Sequence, residues 1–275
     1  MAGILYVVGT PIGNLGDFSP RAVEVLNSCD FIAAEDTRVT IKLLNHFGIK
    51  KPMISYHEHN RAQRGGTIID RLLNGENCAL VSDAGMPIIS DPGEDLTALC
   101  HENNIQVCAV PGPCAFVTAL AISGMPAGRF TFEGFLTRTK QLRREHLSEL
   151  IDEKRTMIFY EAPHKLPATL VDMAEYWGDR RIAIVKELTK IHELVERTTL
   201  YAAAEKYKEV APKGEFVIII EGKKETASQE ITLDDAVEIA LELVKQGASK
   251  TDAAKEAAKK TGIKKSDIYK SLQNG

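Results

Sequence analysis

At 275 residues, 44% of them hydrophobic and 26% charged, the chain carries enough apolar material for two medium-sized cores and is not composed like a disordered or fibrous protein. Its net charge of −4 excludes a uniformly basic surface, and no run reaches the roughly 18 apolar residues that a membrane-spanning helix needs. Five cysteines, odd in number and without a C-x-x-C pair, exclude a disulfide framework and read as reduced, mostly buried thiols.

The first residues, MAGILYVVGTPIGN, enter a strand and a Gly-Pro turn without a basic leader, so a cytoplasmic address is expected. Ile4 to Val8 form the first strand, and Ser19-Pro20 opens a helix that turns Ala22, Val23, Val25 and Leu26 inward. Phe31 to Ala34 make a second apolar run ending in Glu35-Asp36-Thr37-Arg38, followed by a helix over Leu43, Leu44 and Phe47 that stops at Gly48. SYHEHNRAQRGG reads as a polar link; its His57-Glu58-His59 lacks a third partner at a diagnostic spacing, so no metal site is expected. A helix through Ile68, Ile69, Leu72 and Leu73 follows. Cys78 to Val81 then form a buried strand leading into SDAGMPIISDPGED, where Asp91-Pro92-Gly93-Glu94 reads as a helix cap and first turn. On that reading Asp91→Ala would cost stability, about 0.5 to 2 kcal/mol, whereas Asp83 has no capping role. Val107 to Val110 and Pro111-Gly112-Pro113 lead into an apolar helix ending near Ser123-Gly124.

Strand-then-helix units with short loops imply a parallel, doubly wound sheet over residues 1–123. GMPAGR, residues 124 to 129, is the expected hinge. A second α/β lobe over 124–222 takes strands at 130 to 135, 156 to 160, 181 to 186 and 215 to 221; polar alternation over 193 to 200 makes its sheet mixed. A charged helix is expected to bury Leu142, Leu147, Leu150 and Ile151, with further helices near 165 to 177 and 201 to 209. Residues 222 to 231 read as a linker. Residues 232–275 form a small helical appendage of the helix-turn-helix type: Thr232 with Asp235 and Ser249 with Asp252 cap two helices, the first turning Ala236, Val237, Ala240, Leu241 and Val244 inward, and Ile268, Tyr269 and Leu272 mark a third. Eight lysines face three carboxylates over 245 to 275, which makes the appendage either a nucleic-acid surface or a solvated helix face.

Phosphate loops of the G-x-x-x-x-G-K-[ST] type, a G-x-G-x-x-G turn after the first strand and a G-x-S-x-G elbow are all missing. The turns at strand ends are instead built of Gly, Pro and acidic residues: GTPIGN, EDTR, SDAGMP and PGPCA. They allow close backbone contact and present carboxylates without a positive cradle, which suits a ligand with ribose-like hydroxyls and a cationic centre better than a triphosphate. In open α/β sheets such loops border the ligand crevice.

The set VGTPIGNLGDFSPRA, AAEDTR, VSDAGMPIISDPG, VPGPCAF, FEGFL, FYEAPHKL and VKELTKIHE, in order over residues 4 to about 222, resembles the tetrapyrrole methylase (class III) superfamily of S-adenosylmethionine-dependent methyltransferases. Within it the chain is most similar to the branch that methylates the ribose 2'-oxygen of a decoding-centre cytidine in 16S rRNA. The resemblance implies a homodimer that binds S-adenosyl-L-methionine between two lobes and acts on the small ribosomal subunit. It implies cofactor contacts from Pro11, Ser82, Asp83, Ile88, Ile89, Cys114, Ala115, Tyr160, Glu161 and Leu188, with Lys186 also contributed by the second lobe. The SDAGMP turn is two residues longer than the G-D-P turn of the tetrapyrrole enzymes, so the resemblance leaves contacts from Ala84 to Pro87 unassigned. For the reacting hydroxyl, Lys186 and Glu187 at a strand end are the candidate catalytic groups and Asp36 the alternative base; Asn14, Arg21 and Arg38 are candidate RNA or cofactor neighbours. An ion-pair network would equally explain Lys186-Glu187, and a solvated helix face would explain Arg138, Lys140, Arg143 and Arg144. Two rival readings are a tetrapyrrole methyltransferase of the same fold and a non-catalytic RNA- or cofactor-binding module.

Overall fold

A computed structural model describes residues 1–224 and 232–274; the expected linker lies outside the described residues from 225 onward. Residues 1–223 pack as one compact unit, and the helices beyond 232 form a second.

The chain opens with β1 (Ile4–Val8), α1 (Pro20–Ser28), β2 (Phe31–Ala34), α2 (Thr37–His46), β3 (Met53–Ser55), α3 (Arg61–Leu73), β4 (Cys78–Val81), α4 (Glu94–Glu102) and β5 (Gln106–Val110). These strands form an all-parallel sheet in the order β3-β2-β4-β1-β5. Successive side chains leave a strand on opposite faces, and here both faces are covered. Phe31, Ala33, Cys78 and Leu80 pack beneath α3 and α4, while Ile32, Ala34, Ala79 and Val81 meet Leu26 of α1 and Leu44 of α2. Helix starts follow the local chemistry: the Ser19 side chain accepts the Ala22 N–H ahead of Pro20, and the Asp36 carboxylate accepts the Arg38 N–H.

The second sheet comprises β6 (Phe130–Phe135), β7 (Thr156–Glu161), β8 (Arg181–Lys186), β9 (Leu194–Thr199) and β10 (Phe216–Ile220), in the order β6-β7-β10-β8-β9. It is mixed as expected: β6 runs parallel to β7, and β10 runs antiparallel to both β7 and β8. One face packs on α6 (Lys140–Glu149), α7 (Leu166–Trp177) and α8 (Leu200–Glu209). The other face is covered by α5 (Ala115–Ser123), whose Ala119 and Leu120 meet Ile158, Ala183, Val217 and Ile219. So α5, which follows β5 of the first sheet in sequence, packs on the second. Its sequence, AFVTALAIS, is apolar almost all round, as a helix enclosed on more than one side must be.

Several local expectations are corrected. Met53–Ser55 is a short strand, and α3 begins at Arg61, inside the stretch read as a polar link. Asp91 does not cap α4; the N-cap is Gly93, without a side-chain bond. On α6, Leu142 and Ile151 beyond its end are exposed, while Arg143 is buried and paired with Asp172 of α7. A period-based reading assigns inward positions to leucines, whereas here an arginine finds a buried carboxylate.

The second unit holds α9 (Leu233–Lys245), α10 (Lys250–Thr261) and α11 (Lys265–Asn274). The Thr232–Asp235 capping box and the Ser249–Asp252 cap are both formed. Its core is Ala236, Ala240, Ala253, Ala254, Ala257, Ile268 and Leu272; Leu241, expected inside, is exposed. Among the described residues no helix is long and apolar enough to cross a membrane.

Candidate functional site

Every loop leaving the carboxyl end of β1, β2, β4 and β5 borders one cavity of about 380 Å³. Two glycines let these loops meet. A Cβ on Gly9 would lie 2.7 Å from the Gly112 Cα, and one on Gly112 would lie 2.8 Å from the Gly9 carbonyl, so the loops after β1 and β5 touch backbone to backbone. The β1 loop is also bridged to the β4 loop, Thr10 and Gly85 exchanging N–H···O bonds of 2.8 and 3.1 Å. Between Ser82 and Gly93 the chain takes positive φ at Gly85, Ile88 and Ser90. For a β-branched residue such as Ile88 this conformation is a genuine outlier, with a cost of order 1–3 kcal/mol. The distorted loop returns Asp91 to the cavity already bordered by Asp83.

The second sheet closes the other side. Because β10 is antiparallel to its neighbours, its first residue lies beside the last residues of β7 and β8, Phe216 pairing with Glu161 and with Lys186. That edge contributes Phe135, Tyr160 to Pro163, Val185, Leu188 and Glu215 to Val217. The Tyr160 hydroxyl accepts the Phe116 N–H at 3.1 Å, fixing the start of α5 against β7.

Five carboxylates line the cavity, Glu35, Asp83, Asp91, Glu161 and Glu215, and among the described residues no lysine, arginine or histidine does. Burial raises the Glu35 carboxyl above its ordinary range, with the charges of Asp83 and Asp36 adding to it against the Asp83 N–H and His57. Burial likewise raises Asp83, opposed by the Asp36 N–H that it accepts at 3.1 Å. Asp91 is pushed furthest, to about 7, by burial and then by the Glu35 charge, with the Ser82 side chain bonded to it in opposition. The rest of the lining is apolar. Such a wall favours a ligand that carries positive charge and substantial apolar surface.

Residues 4–204 match the family described as Tetrapyrrole (Corrin/Porphyrin) Methylases. The chain belongs to the tetrapyrrole methylase family. It is 46% identical over 268 residues to a Synechocystis sp. protein named ribosomal RNA small subunit methyltransferase I, covering 97% of this chain and 96% of that one. A protein of the same name from Escherichia coli O157:H7 is 44% identical over 271 residues, 98% of this chain and 94% of that one. Solved structures share the fold at low identity: diphthine synthase at a TM-score of 0.60 and 13% identity, covering 81% of this chain and 91% of that one. A uroporphyrin-III C-methyltransferase from Thermus thermophilus aligns at 0.56 and 16%, covering 79% and 94%.

In this methylase, Asp83, Ile89, Cys114, Ala115, Tyr160, Glu161 and Leu188 of the expected cofactor residues lie together on the cavity wall. Pro11 precedes the lining residue Ile12. Ser82 is buried behind the wall, its hydroxyl lying between the Gly85 carbonyl, at a long 3.4 Å, and the Asp91 carboxyl, and Ile88 packs toward the β4–α4 core. The proposed catalytic pair sits outside the lining: Lys186 ends β8, and the Glu187 carboxylate accepts the Lys190 ammonium at 3.1 Å and the Glu215 N–H at 3.0 Å. Asp36 is also spoken for, since the Arg38 guanidinium and N–H hold its carboxyl down at about 2. The Asn14 side chain accepts the Gly16 N–H and caps a short 3-10 turn, and Arg21 is exposed on α1. Glu35, Asp91, Phe135 and Pro163 were not assigned from sequence. Glu35 and Asp91 were legible as acids at strand ends, but capping statistics pointed Asp91 away from the ligand.

Proposed function

We propose that this methylase transfers a methyl group from S-adenosyl-L-methionine to the ribose 2'-oxygen of a decoding-centre cytidine in 16S rRNA of the small ribosomal subunit, acting in the cytoplasm as a homodimer. The observation that carries the donor is the cavity whose charged lining residues are all carboxylates, within an otherwise apolar wall. Its volume falls in the range of small-molecule sites, about 300–1,000 Å³. The RNA substrate is supported by the name shared by relatives at 46% and 44% identity along nearly the whole chain. The lobe division at 123/124 and an appendage over 232–275 belong to the same proposal.

The donor, when bound, supplies a methyl on a positively charged sulfur. Asp83, Ile89, Cys114, Ala115, Tyr160, Glu161 and Leu188 would hold it, with Pro11, Ser82 and Ile88 supporting the loops that carry them. Holding the oxygen in line with that methyl is the larger part of catalysis, worth roughly 7 to 11 kcal/mol in well-aligned intramolecular cases. Lys186 and Glu187 would act on the substrate oxygen from the second sheet and Asp36 from the first, while Asn14, Arg21 and Arg38 would meet RNA. The exposed lysines of α10 and α11 would add phosphate contacts, which position RNA and make binding salt-dependent.

Incubating the protein with methyl-labelled S-adenosylmethionine and unmethylated small subunits tests the reading. Label at a ribose 2'-oxygen is expected; label on a tetrapyrrole, or donor binding without transfer, would replace it with one of the rival readings. By calorimetry, Asp83→Ala is expected to weaken donor binding while preserving the melting transition.

A further inference from the structure

The carboxyls that border the cavity from the first sheet differ in what they already hold. Asp83 accepts the Asp36 N–H at 3.1 Å, and Glu35 accepts the Asp83 N–H at 3.3 Å. Asp91 has the Ser82 side chain against the combined charge of Glu35 and Asp83, and Tyr160 faces it from β7. Arg38 acts on Asp83 and His57 on Glu35, and among the described residues no lysine, arginine or histidine lines the cavity that Asp91 borders. Like carboxylates confined to one wall cannot all stay ionised, and the one with the weakest support keeps a proton.

We infer that Asp91 is the proton-exchanging residue of this site: it releases a proton when a cationic methyl donor enters and accepts the proton of the substrate hydroxyl as the positive charge is lost. The inference rests on the donor assigned under Proposed function. A positive sulfur in the cavity favours the ionised carboxylate, so binding expels the proton. In transfer, the O–C bond forms as the S–C bond breaks, the electron pair of that bond returning to sulfur as a neutral thioether. The hydroxyl proton passes to Asp91, whose basicity rises as the charge that suppressed it disappears. Asp36 is less suited to this step, because its carboxyl remains bound to Arg38 throughout. The strained backbone at Ile88 and Ser90, which returns Asp91 to the cavity and away from any cap, then has a purpose.

Calorimetric titration at pH 7 in phosphate and in Tris, whose ionisation heats differ, reads the protons exchanged. Wild-type protein should release roughly half a proton per site on binding S-adenosylmethionine, from a carboxyl that titrates near that pH, and almost none on binding S-adenosylhomocysteine. Asp91→Asn should release almost none with either. Equal release for the two ligands, or release unchanged in Asp91→Asn, overturns the inference; the ligand comparison needs no variant and stands even if Asp91→Asn folds poorly. Donor binding without proton release sinks this inference alone, whereas no donor binding to the wild type sinks the donor assignment beneath it. In single turnover, Asp91→Asn should lower the rate about 10²- to 10⁴-fold and flatten its rise with pH. A lowered rate that keeps the wild-type pH profile would make Asp91 a packing residue and refute the role.

Discussion

Replacing Asp91 by Asn should stabilise the ligand-free protein, and the gain should depend on pH. The carboxyl's ordinary value is 3.8 and its folded value about 7, so ionisation is the costly direction. Stability is fully retained below the ordinary value, drawn down as pH rises from there, and the loss is complete once pH passes about 7. Without screening, that difference corresponds to about 4 kcal/mol at 1.36 kcal/mol for each pH unit. The side chain is only partly buried on a solvent-bearing cavity, and screening reduces the figure to about 1–2 kcal/mol. For a unit of this size that is about 2–8 °C in Tm. Melting followed by circular dichroism at pH 8 should therefore place Asp91→Asn above wild type by that amount, and at pH 5 by about a third of it. Equal gains at both pH values would refute burial of an ionised carboxyl as the cause. A loss of about 0.5–2 kcal/mol at both would restore the capping role that its sequence context favours.

The buried Arg143–Asp172 pair should behave differently, because removing one partner strands the other. Asp172→Ala is expected to cost about 3–5 kcal/mol in urea unfolding, and Arg143→Met combined with Asp172→Leu should recover most of it. Gly112→Ala should push the β1 and β5 loops apart, since the added carbon would meet Gly9 backbone at 2.8–2.9 Å. A stability loss of roughly 1–3 kcal/mol in chemical unfolding, with weakened donor binding, is expected; wild-type values for both would show that the contact yields freely.

Most of the fold was legible because period and punctuation agreed. Ser19-Pro20, the Thr232–Asp235 box and the Ser249–Asp252 cap marked helix starts where the structure has them, and polar alternation over 193 to 200 pointed to the mixed sheet in which β9 runs antiparallel to β8. What escaped depended on tertiary partners. β3 is three residues long and carries no period of its own; its pairing with β2 makes it a strand. Arg143 is inward only because Asp172 comes from another helix. In the site, the acids at strand ends pointed to the right loops, but Asp91 was masked by a Pro-Gly-Glu context that imitates a cap. Phe135 and Pro163 reach the cavity only through the alignment of β6 and β7.

Helix α5 joins the two sheets. Its start borders the ligand cavity through Cys114 and Ala115 and is held by Tyr160, while its body is embedded in the second sheet's apolar face. The chain therefore changes sheets between Val110 and Ala115, at Pro111-Gly112-Pro113. The expected hinge, residues 124 to 129, lies beyond α5 on the far side of that joint. The crossing thus turns on the same Gly112 that rests on Gly9, so one close backbone contact both joins the loops after β1 and β5 and marks where the chain leaves the first sheet.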